Sequence, residues 1–411
     1  MNLLIPFNYS AYISNIKIAY FAGTMRPGHD GVTRVLYRMI EELNKRKVRN
    51  IFFSPIIPGE TDRTTSMIEV PSITFPLYKD YKLPLPLQSQ IEKSLNHFKP
   101  DIIHINSPCP LGYAAVKYGL KHNIPVVATY HTHFASYAKY YNIKALEYFG
   151  WNYLKSLYNK CDKVYVPSTP IMEELSSRGF NTIEYLPHGV DTNTFNPGFK
   201  NANWKKDLGI ENKTALLFAG RLVWEKDLST LAETYKIIMD KRNDVVFVLA
   251  GDGPIRKELM LRMPKAKFLG QLSGTQLSMA YASSDIFVFP STTETFGNVT
   301  VEAMASGIPP ICAREGGAYG IIKEDINGMI AEPRNAISLS EKIEMLIDNL
   351  SLRKTMANNA LVFAKTQSWE NIFNRLFESY IDVINARNNS STLTKRISKF
   401  DFPLYSPRNY A

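Results

Sequence analysis

Short apolar runs alternate with longer amphipathic segments along the first half of the chain. The runs are rich in Ile, Val, Phe and Tyr, which is typical of buried strands in a parallel sheet. Between them, apolar residues recur at helical spacing. The pattern predicts strands at residues 16–21, 50–54, 101–105, 125–130 and 163–167, and helices at residues 32–46, 111–122 and 144–159.

The same alternation restarts after a polar, turn-rich passage at residues 191–203. Repeated β-α units predict an α/β fold with two Rossmann-like, doubly wound parallel-sheet domains that face a cleft. The predicted strands of the second half lie at residues 215–220, 245–251, 266–270 and 285–290. We place the domains at residues 1–195 and 196–370. Residues 371–411 hold most of a final helix (369–387) and its tail, and we expect them to cross back to the first domain.

Composition is that of an ordinary globular protein, because 45% of the 411 residues are apolar and 21% are charged. The cysteines, Cys109, Cys161 and Cys312, are too widely spaced to suggest a disulfide framework or a zinc site, which fits a reducing compartment. The sequence lacks a basic leading region and an apolar run of about 18 residues, so we expect neither a signal peptide nor a membrane span.

The formal charge of +10 is unevenly placed. Residues 1–190 hold 21 Lys and Arg against 14 Asp and Glu, whereas residues 191–411 hold 27 against 24. A basic first half suits an anionic partner, although a merely soluble surface would look the same. Nucleic acid is the weakest candidate, because no nucleic-acid-binding module is recognisable.

The segment T-E-T-F-G-N-V-T-V-E-A-M-A-S-G at residues 293–307 follows a predicted strand. Gly297 or Asn298 can begin a helix there, and Gly307 can end it. The first-turn amides, from Gly297 to Val299, would then be free donors at the positive end of the helix dipole. Such a helix start suits a phosphate group.

Two glutamates flank this helix start. Glu302 lies one turn inside the helix and Glu294 on the loop before it, so they would reach hydroxyls on opposite sides of a bound diphosphate. A glycosidase pair would need carboxyls about 5–10 Å apart, whereas eight helical residues span about 12 Å. The arrangement therefore favours a sugar nucleotide, and the alternative is two solvated glutamates around a helix cap.

A second loop, at residues 219–228, sets Arg221 and Lys226 just after a strand. The planar guanidinium and the mobile ammonium together can neutralise a diphosphate without a metal. They would stabilise a diphosphate leaving group. Surface cations beside the acidic Glu225 and Asp227 are the alternative.

Two loops of the first half complete the candidate site. His131 and His133 end the predicted strand at residues 125–130, where they could orient a hydroxyl; they lack the further ligands that a metal site needs. Gly28 and Gly31 follow the first strand and permit close approach of a ligand to the backbone. Without a third glycine this loop is a poor dinucleotide fingerprint.

Taken together, these residues resemble the retaining glycosyltransferases of the GT-B fold, of the glycosyltransferase family 4 / group 1 type. The chain is similar in particular to the branch with bacterial lipid-linked mannosyl- and glucosyltransferases and sulfolipid synthases. The resemblance covers about residues 16–385. It rests on E-T-F-G-N-V-T-V-E-A-M-A-S-G-I-P, G-R-L-V-W-E-K, G-D-G-P and P-H-G-V-D-T-N-T-F.

The resemblance implies hexose transfer from a UDP- or GDP-linked sugar to an acceptor hydroxyl, with no cofactor and no metal. The first domain would take the acceptor side and the second would bind the donor. The catalytic residues implied by the resemblance are His131, Glu294, Arg221 and Lys226. The implied donor contacts are Arg221 and Lys226 to the diphosphate, Glu302 to the ribose, Glu294 to the transferred sugar, and Gly31, Val32, Phe296, Gly297, Asn298 and Val299 along the loops and amides.

The chain departs from the family pattern at two positions. Asp30 stands where many members have the first of two glycines, which weakens the inference for the acceptor-side loop. Asp227 stands where many have glycine after the lysine, so we expect a less positive local field.

The acceptor is suggested by residues 134–158, which carry nine aromatics and three lysines against one glutamate. This make-up is typical of an interfacial segment and favours a membrane lipid or lipid-linked glycan, with an anionic membrane surface as a partner. We therefore expect a cytoplasmic protein, peripheral on the inner face of the cell membrane. The aromatics could equally be core residues. A sugar-nucleotide epimerase of the same fold, or a non-catalytic nucleotide-sugar or membrane-binding module, also remain open.

Overall fold

The N-terminal half is built around one parallel sheet. The computed structural model describes residues 13–27, 31–74, 82–131 and 144–397. In chain order, the elements of this half are β1 (Lys17–Phe21), α1 (Gly31–Lys45), β2 (Arg49–Ser54), β3 (Ser66–Glu69), β4 (Ser72–Thr74), β5 (Lys82–Pro84), α2 (Gln88–Phe98), β6 (Ile102–Ile105), α3 (Pro110–His122), β7 (Val126–Thr129), α4 (Lys144–Tyr158), β8 (Lys163–Val166), α5 (Thr169–Ser177) and β9 (Ile183–Tyr185).

The seven strands of the first sheet have the order β3-β2-β1-β6-β7-β8-β9 and pair in parallel. Strand β6, I-I-H-I, is buried along its whole length, as expected where helices cover both faces of a sheet. The chain moves from β1 outward to β3 and then returns to β6 on the other side of β1. Ligands of doubly wound sheets bind at the carboxyl ends of strands beside such a reversal.

The C-terminal half repeats this plan. Its elements are α6 (Trp204–Asp207), β10 (Thr214–Ala219), α7 (Leu228–Lys241), β11 (Val245–Ala250), α8 (Arg256–Arg262), β12 (Lys267–Gly270), α9 (Gly274–Ser283), β13 (Ile286–Phe289), α10 (Asn298–Ala305), β14 (Pro310–Ala313), β15 (Met329–Ala331), α11 (Ala336–Asp348), α12 (Leu350–Thr366) and α13 (Trp369–Ile397). The six-stranded sheet has the order β12-β11-β10-β13-β14-β15, so its reversal lies between β10 and β13. Both charged loops found in the sequence follow these two strands.

The prediction of two doubly wound α/β domains is confirmed, and each of the predicted strands is present. The pattern missed β3, β4, β5, β9, β14 and β15, which are three or four residues long. Several of them, such as S-M-I-E of β3 and I-E-Y of β9, lack the continuous apolar run that marks an equally short strand such as β13, I-F-V-F.

Helix α13 packs against the first sheet rather than the second. Phe373, Phe377 and Tyr380 share a buried cluster with Tyr20 of β1. The Tyr380 hydroxyl is hydrogen-bonded to Nδ1 of His104 on β6. The helix ends at Ile397, ten residues beyond the predicted end. Each Asn or Ser in this stretch destabilises a helix by less than about 1 kcal/mol relative to Ala, which is too little to end it.

The two connections between the halves lie side by side. The amide of Val190 donates to the carbonyl of Gln367 at 2.8 Å, and Val190 forms a bridge with Ser368. Gly189 is tightly enclosed, since a Cβ there would lie 2.5 Å from the Trp369 ring. The polar passage that follows packs onto the second half, where the Asn201 amide donates to Ser283 Oγ at 3.0 Å.

Candidate active site

The loop between β13 and α10 carries Glu294 beside the loop that follows β10. Glu294 and Lys226 form an ion pair in which each side chain is about one-fifth exposed. Neighbouring backbone fixes the loop, because the Gly317 amide donates to the Glu294 carbonyl at 2.5 Å. A Cβ on Gly317 would lie 1.8 Å from the Thr295 carbonyl oxygen, so only glycine fits there. The cation and the carboxylate are therefore held together in the open mouth of the second sheet.

Helix α10 starts beside this pair. Gly297 precedes it with φ 86° and ψ 61°, a left-handed conformation that suits glycine. Within the described part of the chain, the amides of Phe296, Gly297, Asn298 and Val299 make no hydrogen bond. Gly31 faces this turn from the first domain, since a Cβ on it would lie 3.7 Å from Asn298 Nδ2. The predicted anion-binding turn is thus open.

Arg221 follows β10 and is exposed. Its guanidinium makes no hydrogen bond or ion pair with any residue that the structure describes. Lys226 stands in contrast, because Glu294 already neutralises it. Of the two cations predicted to bind a diphosphate, Lys226 is therefore ion-paired and Arg221 has no partner among the described residues.

Asp227 does not project into the site. It is buried, and its Oδ2 accepts from the amide and the hydroxyl of Thr292 at 3.0 and 2.6 Å. Arg334 Nε lies 3.5 Å from the other oxygen. Burial raises the pKa of this carboxyl, while Thr292 and Arg334 oppose the shift. The negative charge that the sequence places beside Lys226 is thus turned inward and paired with an arginine.

Glu302 lies on the inner face of α10 and is 8% exposed. Tyr281 on α9 donates its hydroxyl to Oε2 at 3.0 Å. Arg34 reaches across from α1, 3.9 Å from Oε1. Burial raises the pKa of Glu302, and Arg34 and Tyr281 oppose the shift. Tyr281 and Arg34 were missed by sequence analysis, since neither stands in a recognisable motif.

His131, after β7, is buried at the cleft wall of the first domain. Its Nε2 lies 3.0 Å from Asn106 Oδ1, so Nε2 carries the proton and Nδ1 keeps a lone pair. Burial, followed by the neighbouring His188 and His104, holds the pKa of His131 well below its usual range. His131 is therefore neutral, with an acceptor nitrogen that has no partner among the described residues.

His188 is a second buried histidine, unassigned by sequence analysis although it stands in the P-H-G-V-D motif. Its ring centroid lies 5.7 Å from that of His131 and 5.1 Å from that of Phe296. Nδ1 bonds to Asn298 Oδ1 at 3.0 Å, and Nε2 has no partner in the described chain. Burial lowers the pKa of His188 to about 4. Nδ2 of Asn106 is likewise buried and has no hydrogen-bond partner among the residues that the structure describes.

These contacts bring the two domains together around the predicted site. Thr295 Oγ1 donates to the His131 carbonyl at 2.8 Å, close to the bond between His188 and Asn298. Val32 lies in the first turn of α1, partly buried against the first-domain core. Among the described residues, Arg221 and Lys226 follow β10, Glu294 follows β13 and His131 follows β7. Gly31 approaches Asn298 across the cleft, and Glu302 lies one turn into α10. Gly28, Asp30 and His133 lie outside the described residues.

The described residues contain no group of three or more His, Cys, Asp or Glu side chains placed to hold a metal ion. None of their helices combines the length and the apolar character needed to cross a membrane.

Comparison with known proteins assigns the family. The family model Glycosyltransferase Family 4 matches residues 29–194, and Glycosyl transferases group 1 matches residues 200–362. A GDP-mannose-dependent alpha-mannosyltransferase of Corynebacterium glutamicum is 32% identical over 382 residues, 90% of each chain. An alpha-monoglucosyldiacylglycerol synthase of Streptococcus pneumoniae is 24% identical over 92% of this chain and 89% of that protein.

A solved structure shows the same fold. Anabaena Alr3699/HepE, crystallised in complex with UDP and glucose, aligns with a TM-score of 0.72 at 19% identity, over 89% of this chain and all of that one. Of the alternatives that the sequence left open, the family matches support the transferase. The chain belongs to the GT-B glycosyltransferases that join a Glycosyltransferase Family 4 domain to a Glycosyl transferases group 1 domain.

Proposed function

We propose that this glycosyltransferase moves a hexose from a UDP- or GDP-linked sugar to a hydroxyl of a membrane lipid or lipid-linked glycan. Transfer retains the anomeric configuration and needs no metal. The observation that carries the proposal is the Lys226–Glu294 pair, on loops that also carry the exposed Arg221 and lead into the open start of α10. A nucleotide sugar joins an anionic diphosphate to a hydroxyl-rich ring, and this site sets cations and a carboxylate side by side.

The diphosphate would lie between Arg221, Lys226 and the amides of α10. As the bond from the sugar C1 to the phosphate oxygen breaks, the electron pair leaves with the phosphate, and these donors stabilise the charge. Lys226 is freed for this role when Glu294 turns to the hydroxyls of the transferred sugar. Glu302 would take the ribose hydroxyls from its buried position. The GDP-mannose dependence of the Corynebacterium relative supports a donor of this class.

The acceptor oxygen would bond to C1 on the face that the phosphate leaves, and its proton would pass to the departing phosphate oxygen. His131 is neutral and presents the lone pair of Nδ1. It can therefore accept a hydrogen bond from a sugar hydroxyl without adding charge beside the forming cationic centre. We assign His131 to orienting the reacting sugar.

The described part of α4 supports a lipid-linked acceptor. Tyr148 and Phe149 are 67% and 68% exposed, whereas Trp151 and Leu154 of the same helix are buried. Tyr153 is also exposed, and its hydroxyl donates to the carbonyl of Pro108. The same loop carries Asn106, which is hydrogen-bonded to His131. An exposed aromatic face thus lies beside the acceptor side of the cleft. Such a face suits the cytoplasmic surface of a membrane.

A donor panel tests the transfer itself. Purified protein is incubated with UDP-, GDP- and ADP-sugars and a crude membrane lipid extract, and lipids are read by mass spectrometry. We expect one donor to add a hexose mass to a lipid, with the same yield in EDTA and with the donor's anomeric configuration in the product by NMR. Free hexose or an epimerised donor without any glycosylated lipid would contradict the proposal.

Vesicle flotation tests the membrane component. The double variant Tyr148→Ser with Phe149→Ser should lose binding to anionic vesicles. The control is Leu261→Ser, because Leu261 is 83% exposed on α8 of the other domain. Equal flotation of both variants, or no flotation of the unmodified chain, would remove the membrane surface from the proposal while leaving the transferase assay unaffected.

A further inference from the structure

Arg334 lies in the loop after β15, and its guanidinium contacts residues of three other loops. Nη2 donates to Thr292 Oγ1 at 2.9 Å, and Nη1 donates to Glu315 Oε2 at 2.8 Å. Nε lies 3.5 Å from Asp227 Oδ1. A guanidinium is suited to this task, because its planar donors point in fixed directions.

Each of these loops holds a part of the proposed donor site. Asp227 directly follows Lys226, and Thr292 lies two residues before Glu294. The third loop continues from Glu315 to Gly317, whose amide donates to the Glu294 carbonyl. The buried Asp227 carboxylate closes the arrangement by accepting two hydrogen bonds from Thr292. The loops that carry Lys226 and Glu294 are therefore joined to each other by the contacts among Asp227, Thr292 and Arg334.

The backbone gives a separate indication that these side chains have a role. Asp227 and Arg334 both adopt left-handed conformations, with φ 53° and 55°. Glycine adopts this region without the steric cost that a Cβ brings. Two facing positions that suit glycine are thus occupied by side chains of opposite charge that contact each other.

We propose that Asp227, Thr292 and Arg334 form a positioning unit that sets the spacing of Lys226 and Glu294 for the donor diphosphate. This inference rests on the proposed function, since it assigns the unit to nucleotide-sugar binding. The unit acts through the loops: Asp227 is only 4% exposed and presents its carboxylate to Thr292 and Arg334.

A purely electrostatic role for the same residues makes the opposite prediction for one of them. Loss of the Asp227 charge would then make the site more positive and tighten diphosphate binding, whereas loss of Arg334 would weaken it. A positioning unit predicts that both losses weaken binding. The sign of the Asp227 effect therefore separates the two explanations.

Binding of UDP and GDP, measured by titration calorimetry, tests the inference. The variants Asp227→Gly and Arg334→Gly remove the side chains, and glycine tolerates the left-handed backbone at both positions. Each variant should weaken nucleotide binding about tenfold, which is the scale of a lost hydrogen bond to a charged group. The double variant should be no weaker than either single variant, because one unit is lost only once. Arg242→Gln is the matched control, since Arg242 also bridges two carboxylates of this domain, Asp244 and Asp348.

Thr292 provides a second, conservative pair of variants should the glycine variants fail to fold. Thr292→Ser keeps the hydroxyl and should bind within about twofold of the unmodified chain, whereas Thr292→Val should lose about tenfold. Tighter or unchanged binding by Asp227→Gly, or equal binding by the Thr292 variants, would overturn the positioning unit. Failure of the unmodified chain to bind either nucleotide would instead contradict the proposed function, and the inference with it.

Discussion

Replacing Glu294 by Gln should separate donor binding from turnover. The change keeps the size of the side chain but removes the charge that pairs with Lys226. Before a donor binds, Lys226 is committed to Glu294, so part of its attraction for a diphosphate is already used. In Glu294→Gln the ammonium faces the site without that competitor. We therefore expect the variant to bind UDP or GDP more tightly than the unmodified chain, and to turn over more slowly.

The structure sets the size of the first effect. Lys226 and Glu294 are 20% and 22% exposed, so solvent still screens the pair, and its strength should be about 1 kcal/mol rather than that of a fully buried pair. Release of that energy would tighten nucleotide binding about fivefold. Loss of a charged contact to the reacting sugar should lower turnover by about two orders of magnitude.

Titration calorimetry with the nucleoside diphosphate measures the first effect, and initial rates at saturating donor measure the second. The control is Glu184→Gln, because Glu184 also pairs with a lysine, Lys163, but on the first sheet. It should change neither quantity. Weaker diphosphate binding with unchanged turnover in Glu294→Gln would refute the reasoning, since Glu294 would then serve the diphosphate and not the sugar.

Three further predictions concern the surroundings of the site. Tyr281→Phe removes the hydrogen bond to the buried Glu302 carboxylate and should lower the free energy of unfolding by about 2 kcal/mol in urea denaturation. Gly317→Ala should lower donor affinity in calorimetry, because its Cβ would collide with the Thr295 carbonyl and displace the Glu294 loop. His188 is buried with its pKa lowered to about 4, so the folded state resists a proton that the unfolded chain takes up near pH 6.5. Stability should therefore fall between about pH 6.5 and pH 4, and His188→Asn should reduce the loss between about pH 7 and pH 5 by up to about 2 kcal/mol in pH-dependent urea melts.

The fold and the positions of the charged loops could be predicted because both depend on local order in the sequence. Apolar runs such as V-V-F-V-L-A of β11 predict buried parallel strands. Loops at the carboxyl ends of neighbouring strands must meet. The sequence predicted the loops that carry Lys226 and Glu294, whereas their proximity became evident only from the observed adjacency of β10 and β13.

Contacts between distant loops could not be predicted in the same way. Nothing near Arg334 in the sequence marks it as a partner of Asp227, because their meeting depends on how the loops after β10 and β15 fold. The sequence gives the charge of Asp227 but not its direction, and so it suggested a less positive site. The structure turns that carboxylate toward Thr292 and Arg334. Helix α4 shows the same limit, since its aromatic residues divide between core and surface.

The polar contacts across the cleft use the same residues that are proposed to hold the donor. Asn298 bonds to His188, Thr295 to the His131 carbonyl, and Glu302 lies near Arg34. His188 stands two residues before Val190, where the two connections between the domains pair. A ligand that bonds to Asn298 or Glu302 would therefore compete with contacts that join the two domains.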